Sequence, residues 1–177
     1  MKNKELVLRL PTKKYKKSIE EFKKGLLENG SSTDGCGTLK NDDFETWLKK
    51  CNDWRFGKNL PNGFVQSTQY IMVRKTDNKV VGMFQIRHEL NDFLLNFGGN
   101  IGYSISFDER NKKYGTTILK LGLKKCKELK LKKVLITCLS TNIASRKCIL
   151  ANGGKYENTN HLYDANVDLE RYWIKLF

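Results

Sequence analysis

Residues Asn100 to Lys130 read NIGYSISFDERNKKYGTTILKLGLKKCKELK. The first eight, to Phe107, follow a glycine pair and form a strand-like run. From Thr116 onward the period changes, and Ile118, Leu119, Leu123, Cys126 and Leu129 fall on the inward face of a helix. Between them lies the turn Asp108-Glu109-Arg110-Asn111-Lys112-Lys113-Tyr114-Gly115. A loop that feeds straight into a helix aims free backbone N–H groups and the positive helix end at one point, which suits a phosphate. Arg110, Lys112 and Lys113 add positive charge there, and Gly115 leaves room for a ligand beside the backbone.

Downstream, Val134 to Leu139 reads as a fully buried strand and Ile143 to Ala151 as a short helix ended by Asn152-Gly153-Gly154. Strand, turn, helix, strand, helix in that order needs a crossover connection, so the sheet is expected to be partly parallel. Upstream, Gln69 to Arg74 and Lys79 to His88 are strand-like runs around a Thr76-Asp77-Asn78 hairpin turn. Glu5 to Leu10 alternates as a half-buried strand does. A helix capped by Thr12 then carries Tyr15, Ile19, Phe22 and Leu26 on one stripe. A second helix from near Asp42 carries Phe44, Trp47, Leu48 and Cys51, a loop is expected from Asn52 to Gln66, and the tail from Asp168 is rich in strand formers. The expected fold is one α/β domain over residues 1–177, with a mixed sheet flanked by helices.

With 177 residues, 39% of them hydrophobic and 29% charged, the chain can bury a real core and is neither disordered nor fibrous in composition. No run approaches the ~18 apolar residues of a membrane span, and Met1 to Leu10 lacks the pattern of a secretory signal, so a cytoplasmic protein without membrane partners is expected. Five cysteines without a C-x-x-C pair and two histidines suggest neither a disulfide framework nor a metal site. The net charge of +14 admits a polyanionic partner. Because 26 of the 33 cations are lysines spread along the chain, a solvated surface is the preferred reading and no nucleic acid is expected.

Gly99-Asn100-Ile101-Gly102-Tyr103-Ser104-Ile105, the turn above, Val134 to Cys138, and Asn142-Ile143-Ala144-Ser145 followed by Asn152-Gly153-Gly154 together resemble the GNAT N-acetyltransferase family. Leu60-Pro61-Asn62-Gly63-Phe64-Val65, Arg87-His88-Glu89-Leu90-Asn91 and Arg171-Tyr172-Trp173 resemble one poorly characterised bacterial branch of it. The likeness is detailed over about the last two-thirds of the chain.

The resemblance implies a sheet splayed between its two central strands, with acetyl-CoA in the opening. Its pyrophosphate loop, R/Q-x-x-G-x-G/A, aligns with Arg110 to Gly115. The backbones of Ile105 and Phe107 would pair with the pantetheine arm as a strand would, and the amides from Asn111 through Lys112, Lys113, Tyr114 and Gly115 to Thr116 would hold the pyrophosphate. Asn142 and Ser145 would cap a helix and line the cofactor side. Two positions depart from the family. Lys113 stands where the first loop glycine is usual, so either its φ is negative or cofactor affinity suffers. The residue seven after Asn142, where many members have a proton-donating tyrosine, is Ile149.

Acetyl transfer to an amine needs a neutral nucleophile, donors for the developing oxyanion and protonation of the departing thiolate. Glu89 and His88, at the end of the strand before the cofactor strand, are the candidate bases, although each reads equally as a surface or structural residue. The backbone amide near Ile105 is the candidate oxyanion donor. Cys138 and Cys148 raise a covalent route, disfavoured because neither has a neighbouring histidine in the sequence. The resulting expectation is direct transfer from acetyl-CoA to a primary amine of a small molecule, with a homodimer allowed. Asp42, Asp43 and Asp53 hint at a cationic acceptor. A CoA-binding regulator without turnover and a basic nucleic-acid-binding protein are the alternatives.

Overall fold

The computed structural model describes residues 5–177. Seven strands form one sheet in the order β1-β2-β3-β4-β5-β7-β6. They are β1 (Leu6–Arg9), β2 (Ser67–Arg74), β3 (Lys79–Arg87), β4 (Ile101–Ile105), β5 (Lys133–Leu139), β6 (Lys155–Leu162) and β7 (Val167–Lys175). All neighbours are antiparallel except β4 and β5. That parallel pair is joined across α3 (Tyr114–Glu128), the crossover its order required.

Helices α1 (Lys16–Glu28) and α2 (Phe44–Arg55) cover one face. There Ile19, Phe22, Leu26, Trp47 and Leu48 pack on Ile71, Val73, Val80 and Met83. On the other face, α3 and α4 (Ile143–Ala151) bury Ile118, Leu119, Cys126 and Ile149 against Met72, Phe84, Ile86, Val134, Ile136 and Tyr172. Burying a Leu, Ile or Phe side chain stabilises by roughly 1.5–3 kcal/mol, and the two layers hold the central strands between them.

Several boundaries differ from the expectation. Thr12 makes no side-chain cap, and a 3-10 turn at Lys13–Tyr15 leads into α1. The cap of α2 is Asp43, whose carboxylate accepts from the Thr46 N–H. Trp54, expected in a loop, is in the last turn of α2 and 4% exposed. A π-helical turn at Leu94–Gly98 precedes β4, and β6 was not foreseen. No helix among the described residues is long and apolar enough to cross a membrane, and no group of three or more His, Cys, Asp or Glu among them could hold a metal ion.

Candidate active site

The central opening is set at its closed end by Asn100. Its N–H donates to the Leu135 carbonyl at 2.7 Å, its side-chain carbonyl accepts from the Leu135 N–H at 2.8 Å, and its amide nitrogen reaches the Arg87 carbonyl at 3.1 Å. Gly99 makes this approach possible: its φ is +65°, and a Cβ would stand 2.6 Å from the Leu135 carbonyl oxygen. Beyond this clamp β4 and β5 share one register pair, Ile101 with Ile136, and then separate. Arg87 braces the same corner by donating to the carbonyls of Gly98 and Gly99.

At the open end lies the turn that leads into α3. Among the described residues, none of the backbone N–H groups from Arg110 to Thr116 donates to a protein acceptor. Residues 110–113 are exposed and Tyr114 to Thr116 half-buried, and a run of N–H groups without protein acceptors at a helix start forms an anion-binding concavity. Asn111 and Lys113 both lie in the left-handed region, at φ +63° and +62°. The glycine-like conformation at Lys113 is therefore present without the glycine, and the alternative of a negative φ does not hold.

The side chains of the turn do other work than expected. Lys112 reaches the Glu109 carboxylate at 2.7 Å, and Arg110 donates to Ser31 Oγ at 2.9 Å while stacking on Phe107. Glu109, unremarked in the sequence, is 3% exposed and also receives Arg74 at 2.9 Å and Lys79 at 3.0 Å. Burial pushes its carboxyl up, but the hydrogen bonds from Lys112, Lys79 and Arg74 outweigh that and hold it below the ordinary range. Gly115 also makes room for α4, because a Cβ there would meet Cys148 Sγ at 2.8 Å. Phe107 opens a 3-10 turn instead of ending the strand, which leaves Ile105 as the last strand residue.

Across the opening, Asn142 caps α4 by accepting from the Ser145 N–H at 3.0 Å. Ser145 Oγ lies 3.0 Å from the Tyr103 hydroxyl, joining α4 to β4. Burial raises the Tyr103 phenol well above its usual range, so it keeps its proton. Tyr103 stood in the family-like motif but was not foreseen as part of the site, since the pairing depends on where α4 is placed. Ile149 is fully buried in the core.

The two candidate bases stand apart from this hydroxyl pair in the chain. His88 Nε2 is 2.8 Å from Thr68 Oγ1, and the His88 backbone N–H donates to the Gln66 carbonyl. Burial lowers its pKa below 6.5 while Glu89 opposes the shift, so the ring is neutral at pH 7. Glu89 is exposed. Cys138 is 6% exposed, and burial pushes its thiol up to about 11, which keeps it protonated. Asp42 is held by Lys50 and Thr38, and Asp53 by Lys49 and Asn59, so with Asp43 capping α2 none of the three is a free acceptor-binding carboxylate.

Residues 8–155 match the family model described as an acetyltransferase (GNAT) domain. None of the curated proteins compared matches the chain in sequence. Among solved structures, the chain is similar to the microcin C7 self-immunity acetyltransferase MccE in complex with acetyl-CoA and AMP, at TM-score 0.73 and 15% identity over 98% of this chain and 93% of that one. It is also similar to the ribosomal-protein-S5-alanine acetyltransferase of Vibrio fischeri, at TM-score 0.73 and 14% identity over 99% and 95%. A spermidine N-acetyltransferase chimera of Vibrio cholerae SpeG and hSSAT aligns at TM-score 0.68 and 14% identity over 97% and 96%.

Proposed function

The chain belongs to the GNAT acetyltransferase family and is an acetyl-CoA-dependent acetyltransferase, and on that premise we propose that it moves the acetyl group to a primary amine of a small molecule by direct attack within a ternary complex. The observation that carries the cofactor assignment is the run of unclaimed N–H groups from Arg110 to Thr116 at the open end of the β4–β5 gap. Acetyl-CoA would supply an activated thioester and a pyrophosphate. The amides from Asn111 to Thr116 would hold the pyrophosphate. Ile105 and the Asn142–Ser145 helix start would flank the arm.

Direct attack is favoured because the buried thiol of Cys138 is not a thiolate at neutral pH. The Tyr103–Ser145 hydroxyl pair is proposed to donate a hydrogen bond to the departing thiolate, in place of the tyrosine that Ile149 replaces, while water supplies its proton, because burial keeps the phenol protonated. His88 and Glu89 are the residues proposed to take the amine proton. His88 is neutral at pH 7 and can accept a proton, and Glu89, being exposed, can do so through water. A small acceptor is preferred because the loops 30–39 and 56–66 close over α2, where the Trp47 and Trp54 indoles donate to the Cys36 and Asn59 carbonyls.

The test is thiol release from acetyl-CoA over a panel of amines: polyamines, aminoglycosides, amino acids and a peptide with a free N-terminus. Turnover with a small amine, reduced at least tenfold in Tyr103→Phe combined with Ser145→Ala, is expected. Turnover with the peptide alone would overturn the small-molecule reading, and cofactor binding without turnover on any amine would favour a regulator.

A further inference from the structure

Two stretches carry most of this chain's positive charge: residues 1–24, with nine lysines and arginines and three carboxylates, and residues 110–156. From Arg110 to Tyr156 there are thirteen lysines and arginines and one carboxylate, Glu128, a net +12 within a total of +14. The flanking stretches 88–109 and 156–170 hold eight carboxylates and neither lysine nor arginine. The lysines alone are spread along the sequence, which favoured a solvated surface; the carboxylates are what is unevenly placed.

In the fold, three of the thirteen are neutralised by contact: Lys112 with Glu109, Lys125 with Glu128 and Arg146 with Glu170. Among the described residues no carboxylate lies within ion-pair distance of the other ten. Lys120, Lys124 and Lys127 recur at spacings of four and three, so they share one face of α3, and all three are exposed. Lys130 continues the row just past the helix end.

The row is too long to be explained by the cofactor. At about 1.5 Å per residue, Lys127 lies roughly 20 Å along α3 from the turn at its N-terminus. That exceeds two Debye lengths of ~8 Å at physiological salt, so a charge there contributes little to capturing a pyrophosphate at the other end. Successive rises of roughly 6 and 4.5 Å between the three lysines instead suit a polymer with regularly spaced phosphates. A membrane is less well matched, because a helix that adsorbs to lipid needs an apolar flank: α3 itself exposes no large hydrophobic residue, and Phe177, exposed beside Lys127, is a single side chain.

We propose that the outer face of α3, through Lys120, Lys124, Lys127 and Lys130, is a docking surface for the phosphate backbone of nucleic acid. Lysine without arginine on this face predicts contact with phosphates and no sequence readout. The experiment is fluorescence anisotropy of a labelled 30-nucleotide mixed-sequence RNA strand with the full chain, over a salt series. About four phosphate contacts on a single strand predict a slope of log affinity against log salt near −3. The triple charge reversal Lys120→Glu, Lys124→Glu, Lys127→Glu should weaken RNA binding at least tenfold. Acetyl-CoA binding by the same variant should stay within threefold of wild type. The triple Lys→Gln variant, with circular dichroism, guards against loss of fold by repulsion. Absence of RNA binding at 100 mM salt, binding indifferent to both variants, or equal loss of acetyl-CoA and RNA binding in a folded variant would each overturn the proposal. So would lysine-dependent binding to phosphatidylserine vesicles without binding to RNA.

Discussion

Asn100 and Leu135 exchange two hydrogen bonds at the corner where β4 and β5 part, one between backbones at 2.7 Å and one from the Leu135 N–H to the Asn100 side chain at 2.8 Å. The side chain thus substitutes for a missing rung of parallel sheet. It fixes the end of the ladder, and after one further register pair, Ile101 with Ile136, the two strands separate.

Asn100→Ala should therefore act on stability and cofactor affinity together. The Leu135 N–H is fully buried, and leaving it without an acceptor costs about 1–3 kcal/mol. At about 2–4 °C per kcal/mol for a domain of this size, that is a Tm fall of roughly 2–12 °C. Acetyl-CoA affinity should drop with it, as measured by thermal melts with and without the ligand. An unchanged Tm would show that the corner is held by other contacts.

Lys113 provides a second test, because its φ of +62° is a conformation that costs an L residue about 1–2 kcal/mol. Lys113→Gly should keep or tighten acetyl-CoA binding and leave the fold at least as stable. Lys113→Val, β-branched and far less tolerant of that φ, should weaken binding tenfold or more. Equal affinities in the two variants would show that the turn's conformation does not matter to the ligand.

The Glu109 cluster predicts a pH signature. Its carboxyl is held below 4.5 in the folded chain, so its stabilising contribution is complete above that pH and is lost as pH falls through the lower folded value. Glu109→Gln should cost about 3 kcal/mol at pH 7, because Arg74, Lys79 and Lys112 are left without their shared anion. The gap between wild type and variant should narrow as urea denaturation is repeated at lower pH. A gap constant from pH 7 to pH 3 would contradict the assignment.

Direct transfer predicts that no acetyl group is carried on the protein. Cys138→Ala and Cys148→Ala should each retain transfer to within a fewfold, and mass spectrometry after mixing with acetyl-CoA alone should find no added acetyl. A stoichiometric acetyl-cysteine, discharged on adding amine, would restore the covalent route.

The parts of the fold that were legible are those whose chemistry repeats along the chain. Ile118, Leu119 and Cys126 marked α3, and Val134 to Cys138 marked a buried strand, because local period and burial coincide there. β6 was not legible: Lys155–Leu162 is an exposed edge strand rich in asparagine, with no apolar alternation to read. In the site, the turn before α3 was visible as a basic segment opening a helix. Glu109 was not, because its partners Arg74 and Lys79 come from the β2–β3 hairpin, thirty or more positions away. The same tertiary dependence hid Tyr103, which acquires its role only where α4 brings Ser145 beside it. Nor does the sequence reveal that α4 packs Cys148 against Gly115.

The most direct test of the whole account is calorimetric titration of the purified chain with acetyl-CoA. One site of micromolar affinity, lost in a variant whose turn Arg110–Gly115 is replaced by a neutral loop of equal length, is the predicted result. Heat indistinguishable from dilution with the wild-type chain would contradict the assignment of the β4–β5 opening as a cofactor site.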